Sequence, residues 1–156
     1  MGERKHILDA RRNSPPYEAD YAGWLETQVA LMRADQWESV DKDNLLDEVA
    51  SLGRSDFKGF VSAIEIVLLH MLKWDHQEER RSPSWAYSIL EHRRRIAQEL
   101  TDSPSYKSRV QEAVERAYET APTAAARETG LPLRTFPKSC PYTWADITER
   151  AFDPPQ

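Results

Sequence analysis

Between Leu45 and Trp74 apolar side chains return every three or four residues, as Leu45, Val49, Leu52, Phe60, Ile64, Val67, Met71 and Trp74, with a break only around Asp56. A strand alternates every two residues and cannot gather such a set on one face, whereas an α-helix lays it along one stripe. The spacing therefore predicts one long helix of about 30 residues. Gly53-Arg54-Ser55 argues for a break, since Gly inside a helix costs about 1 kcal/mol relative to Ala while Gly at a helix end needs no explanation. The phase runs through Gly53 and favours the continuous helix. Asp41, three residues ahead of Asn44, is placed to accept the unpaired N–H groups of its first turn.

The same period recurs on either side. Tyr17, Tyr21, Trp24, Leu25, Val29 and Met32 mark a first helix of about four turns. Ser82-Pro83 and Ser103-Pro104 each open another, because Ser caps and Pro at the first helical position loses only an N–H that was unpaired anyway. Trp85, Ile89, Ile96 and Leu100 form the stripe of the third helix, and Tyr106, Val110, Val114, Ala117 and Tyr118 that of the fourth. Pro122 should kink or stop the fourth helix, with a restart over 123–129 and an end at Gly130-Leu131-Pro132. Residues 131–142 read as irregular. Thr143 with Asp146 resembles a capping box for a last short helix over 144–150, which would lay Trp144 and Ile147 on the bundle.

Only 5 of the 156 residues are Gly, and the 10 Pro fall mostly between periodic segments. Both facts favour helices over strands. The expected architecture is all-α: a small helical bundle with one long central helix and an irregular C-terminal tail ending in a short helix. Residues 1–16 are expected to be a mobile arm, 17–150 a single helical domain and 151–156 a tail.

Several function classes lose support at once. The longest apolar run, Ile64 to Leu72, is far short of a membrane span and is interrupted by His70. The charged start MGERKH leads into no apolar stretch, so no secretory signal is expected. The single Cys140 can form no internal disulfide, which agrees with a reducing, cytoplasmic setting. A net charge of −5 argues against general polyanion binding, which needs a concentrated basic surface.

The residues offer little catalytic chemistry. Glu-x-x-His spacing, which sets two metal ligands on one helix face, occurs only at Glu3 and His6 in the arm. His70 and His76, six apart, lie about 240° round a helix and face away from each other. No metal, cofactor or catalytic residue is assigned. Glycine-rich phosphate loops and the nucleophile elbow of hydrolases are also missing. Cys140 has no neighbouring His to stabilise a thiolate and reads as a packing residue.

What remains is a set of candidate ligand or anion residues: His70, Trp74, Arg80, Arg81 and Trp85. His70 lies on the run LLHMLKW one turn before Trp74, where a satisfied core histidine and a pocket residue are both consistent with the pattern. Arg80-Arg81 precedes the N-terminus of the third helix, whose free N–H groups attract anions. Lys73, Arg93, Arg94 and Arg95 extend the basic run, but Asp75, Glu78, Glu79 and Glu91 dilute it and Arg94 falls on the solvent side of its helix.

The ordered strings YEADYAGWLETQ, DNLLDEVASLGRS, LLHMLKWDHQEERRSPSW and ETGLPLRTFPKSCPYTWADI resemble the bacterial domain-of-unknown-function family numbered twenty-nine, from about Tyr17 to Ile147. Glu78 stands where that family often has Pro, and Pro122 interrupts a helix that is usually Pro-free. The resemblance implies an all-helical fold and carries no catalytic or binding residues onto this chain.

The leading functional expectation is a non-catalytic interaction or self-associating module, because five Trp and six Tyr supply more aromatic surface than a small bundle core must absorb. A homo-oligomer or a protein partner would then cover that surface. The alternative is a small-ligand or anion-binding protein, or an enzyme, with its pocket at His70, Trp74 and the Arg80-Arg81 loop. Nucleic-acid binding through the arginines is the weaker alternative, and no membrane partner is expected.

Overall fold

A computed structural model describes residues 17–153, and among these there are five α-helices and no strand. They are α1 (Tyr21–Arg33), α2 (Lys42–His76), α3 (Pro83–Asp102), α4 (Val110–Thr129) and α5 (Trp144–Glu149). Short 3-10 turns occupy Trp37–Ser39, Glu78–Arg80, Pro104–Arg109 and Leu133–Thr135. The chain divides into two compact units, with the boundary between Gly53 and Arg54. Glu3, His6 and the rest of the expected arm lie outside the described residues.

In the first unit α1 begins at Tyr21, four residues later than the apolar spacing suggests, because Asp20 caps it by accepting from the Gly23 N–H at 3.0 Å. It ends in a Schellman turn. The Asp35 N–H reaches the Met32 carbonyl at 3.1 Å and the Gln36 N–H reaches that of Leu31 at 2.9 Å. Asp35 takes the left-handed conformation this ending demands, with φ of 59°, and its carboxylate accepts from the Trp37 indole at 2.6 Å. α2 then starts on the expected cap: the Asp41 carboxylate accepts from the backbone N–H and the side-chain amide of Asn44.

α2 is one helix of 35 residues, unbroken at Gly53. Its apolar stripe is not uniform. From Phe57 to Trp74 the stripe is buried, but Val49 and Leu52, expected on the core side, are 59 % and 64 % exposed, as is Leu46 at 67 %. Among the described residues of the first unit the buried apolar side chains are Trp24, Leu31 and Val40, and the stripe over Leu46, Val49 and Leu52 stays uncovered by them.

The second unit holds the main core, in which Phe57, Phe60, Ile64, Leu68 and Leu72 of α2 pack with Ile89 and Ile96 of α3, Ala113, Ala117 and Ala121 of α4, and Ile147 of α5. Pro83 opens α3 as its spacing predicts, although the Ser82 hydroxyl pairs with that of Ser84 at 2.8 Å and caps no backbone N–H. Ser103-Pro104 opens a 3-10 turn instead of α4 itself, and this turn seats Tyr106 between Phe57 and Phe60 with ring centroids 5.2 and 5.3 Å away. Pro122 neither stops nor restarts the fourth helix. α4 runs through it to Thr129, held by a buried face that includes Pro122 itself, and ends at Gly130 with φ of 74°. The capping box at Thr143 and Asp146 forms as expected and starts α5.

Candidate functional site

The strings that stand out in the sequence are joined to one another in pairs, and the joints are made by their polar side chains. In the first unit the Trp24 indole donates to Asp41 at 3.1 Å, and Gln28, buried, accepts from the Asp41 N–H at 2.8 Å. Tyr17 and Tyr21 both donate to Glu48. Those bonds to the carboxylate favour the neutral phenols, pushing Tyr17 up to about 12.

In the second unit Lys73 is buried and its ammonium meets Glu128 at 2.7 Å while lying 4.4 Å over the Trp85 ring. Gln77 donates to the Thr129 carbonyl at 3.2 Å. Asp75 takes a two-pronged pair from Arg150 at 2.6 and 2.9 Å and a hydrogen bond from Tyr142 at 2.9 Å. Burial alone would push the Asp75 carboxyl up, but these donors outweigh it and hold it below the usual carboxylate range. Arg93 gives three bonds to the carbonyls of Asp146, Ile147 and Arg150, closing the C-terminal end of α5. A guanidinium used in this way is unavailable to an external anion.

Of the five residues proposed from sequence, the structure brings Trp74 and Arg81 into direct contact. Trp74 is buried, its ring 5.3 Å from the Arg81 guanidinium and its carbonyl accepting from Arg81 Nε at 2.9 Å. Arg81 also meets Glu78 at 2.9 Å. Trp85 is half-buried beneath Lys73, and Arg80 is exposed on the 3-10 turn Glu78–Arg80. His70 is half-buried with Nδ1 2.9 Å from the Ile66 carbonyl. A carbonyl can only accept, so Nδ1 carries the proton and Nε2 keeps its lone pair. Burial pushes the His70 imidazole down, which keeps it neutral at pH 7.

A family model described as "Domain of unknown function DUF29" matches residues 16–153. The chain belongs to this family. No curated protein and no solved structure matches it. Of the polar joints, Tyr17 and Tyr21 with Glu48, Lys73 with Glu128, Gln77 with Thr129 and Tyr142 with Asp75 lie wholly within the strings quoted above, whereas Asp41 and Arg150 stand just outside them. No group of three or more His, Cys, Asp or Glu residues suited to a metal ion occurs among the described residues, and no described helix is long and apolar enough to cross a membrane. Cys140 is half-buried, its thiol pushed up by burial and directed at the Tyr142 carbonyl at 3.6 Å.

Two features escaped the sequence reading. One is the exposed Leu46, Val49 and Leu52 stripe, whose period is that of a core face, so that spacing alone could not separate it from the buried part of α2. The other is a cleft of about 500 Å³ between α4 and the segment Leu133–Lys138, which the sequence marks only by Pro122, Pro132 and Pro137. A second depression, on α3, is lined by Glu91, His92, Arg94, Arg95 and Gln98, all polar, in keeping with a solvated face.

Proposed function

We infer that this chain is a non-catalytic interaction module that pairs with a second copy of itself through the start of α2. The observation that supports the reading is the run Leu46, Val49 and Leu52, exposed by 67, 59 and 64 % and spaced three residues apart along one helix. Single exposed apolar residues are ordinary on any protein surface, but a row of branched side chains on one helix face is what helix-to-helix docking uses. The joints made by the family strings leave their polar side chains engaged inside the chain, which further favours a surface role. Sedimentation equilibrium over a wide concentration range tests the reading with wild type and the double variant Leu46→Glu/Leu52→Glu. Wild type should show reversible dimerisation and the variant should be monomeric with an unchanged helical spectrum. A wild type that stays monomeric throughout, or a variant that associates as well as wild type, would contradict it.

The ligand-binding reading rests on one specific observation, His70, held through Nδ1 to the Ile66 carbonyl and near the Lys73–Glu128 pair, with no hydrogen-bond partner at Nε2 among the described residues. Titration with inorganic phosphate, followed by amide NMR, tests it. Saturable shifts at His70, Arg80 and Arg81 would support this pocket, and their absence at millimolar phosphate would remove it.

A further inference from the structure

The cleft between α4 and the Leu133–Lys138 segment is built differently from the rest of the surface. Its walls are Tyr118, Pro122, Leu133, Phe136 and Pro137, and its volume of about 500 Å³ lies within the range of small-molecule sites, roughly 300–1,000 Å³. The base is fixed, because the Tyr118 hydroxyl donates to the Pro137 carbonyl at 2.8 Å and ties the two walls together. Phe136 is anchored from behind by the edge of His76, ring centroids 5.2 Å apart. Leu133 stays 54 % exposed at the mouth, an apolar side chain that an occupant would cover. Pro122 has no N–H, so the Tyr118 carbonyl, on the same face of α4, lacks the donor an uninterrupted helix would give it four residues on.

The charge at the rim selects among occupants. Arg134 and Lys138 line the cleft, both are exposed, and neither makes an ion pair among the described residues. Glu119 is the single acid in the lining. Two cations and one carboxylate leave a surplus of one positive charge above an apolar base. That surplus complements a monoanion, whereas the nearby Glu119 repels the second charge of a phosphate monoester.

We propose that this cleft binds a small carboxylate with an apolar body, its tail against Tyr118, Pro122, Leu133 and Phe136 and its head between Arg134 and Lys138. The site does not depend on the pairing of α2 stripes and stands or falls separately from it. Sodium decanoate and 1-decanol, each below its aggregation limit, are the probes, titrated into the full chain and followed by amide NMR. Decanoate should shift the amides of 118–123 and 133–138 saturably and bind about tenfold more tightly than the alcohol, the scale of two exposed charge contacts. Arg134→Gln/Lys138→Gln should remove that preference and leave alcohol binding unchanged, and Thr123→Phe, which fills the mouth, should weaken both probes. Equal affinity for acid and alcohol would overturn the proposal. So would an unchanged decanoate affinity in the double glutamine variant, or shifts confined to other parts of the chain such as 46–52.

Discussion

In residues 17–53 polar contacts join the segments, from Trp24 to Asp41, from the Asp41 N–H to Gln28 and from two tyrosines to Glu48, beside the buried Trp24, Leu31 and Val40. Residues 54–153 also have polar joints, but these lie around an apolar core with Phe60, Ile64, Leu68 and Leu72 wholly buried. The first unit has three buried apolar residues and the second has twenty-two among the described residues. One helix, α2, belongs to both, and its stripe is covered from Phe57 to Trp74 while Leu46, Val49 and Leu52 are bare. The contrast teaches that helical periodicity measures the capacity to bury a face and says nothing about what buries it. A bare stripe on a unit with little core of its own is a surface to which a second molecule can add what the chain leaves out.

The sharpest way to break this comparison is to damage each unit in turn. Phe60→Ala removes a wholly buried ring from the larger core and should cost about 3–5 kcal/mol, read as a loss of global stability in urea unfolding. Asp41→Ala removes the cap of α2 and the acceptor of the Trp24 indole, and should cost about 1–2 kcal/mol. Its effect should appear as lost amide protection in 21–50 with the second unit intact. The side-chain bond from Asn44, opposed by partial burial and aided by the Trp24 indole, holds the Asp41 carboxyl below 3.8. Its folded value being the lower one, the contribution is complete above that pH and is lost as pH falls through the folded value.

Gly53→Ala sharpens the comparison from the boundary itself. A methyl group there meets nothing within 4 Å, and the residue is helical, so the substitution should stabilise α2 by about 0.5–1 kcal/mol. Destabilisation would show that the boundary needs glycine, against a continuous helix. Smallest of all, Leu46→Ser should change the stability of the monomer by no more than about 0.5 kcal/mol, because the side chain is already in water.

The helices were legible wherever a local rule decided them. The period of Phe60, Ile64, Val67 and Met71, the Asp41 cap, Pro83, Gly130 and the Thr143–Asp146 box each act within a few residues, and each appears where the sequence places it. Failures came where partners distant in sequence decide. Pro122 stays helical because its face is buried, and Ser103-Pro104 opens a 3-10 turn in which Tyr106 is seated against Phe57 and Phe60. The candidate site was less legible for the same reason. Lys73 looked like part of a basic run, and only folding sets it against Glu128, 55 positions away. The walls of the α4 cleft come from two segments whose residues carry no motif.

Amide hydrogen exchange along α2, measured at low and high protein concentration, tests the central contrast most directly. The account predicts that amides of 60–74 exchange only through global unfolding at both concentrations, while those of 42–53 open at lower free energy and gain protection as concentration rises. Uniform protection over 42–76 that does not change with concentration would contradict it.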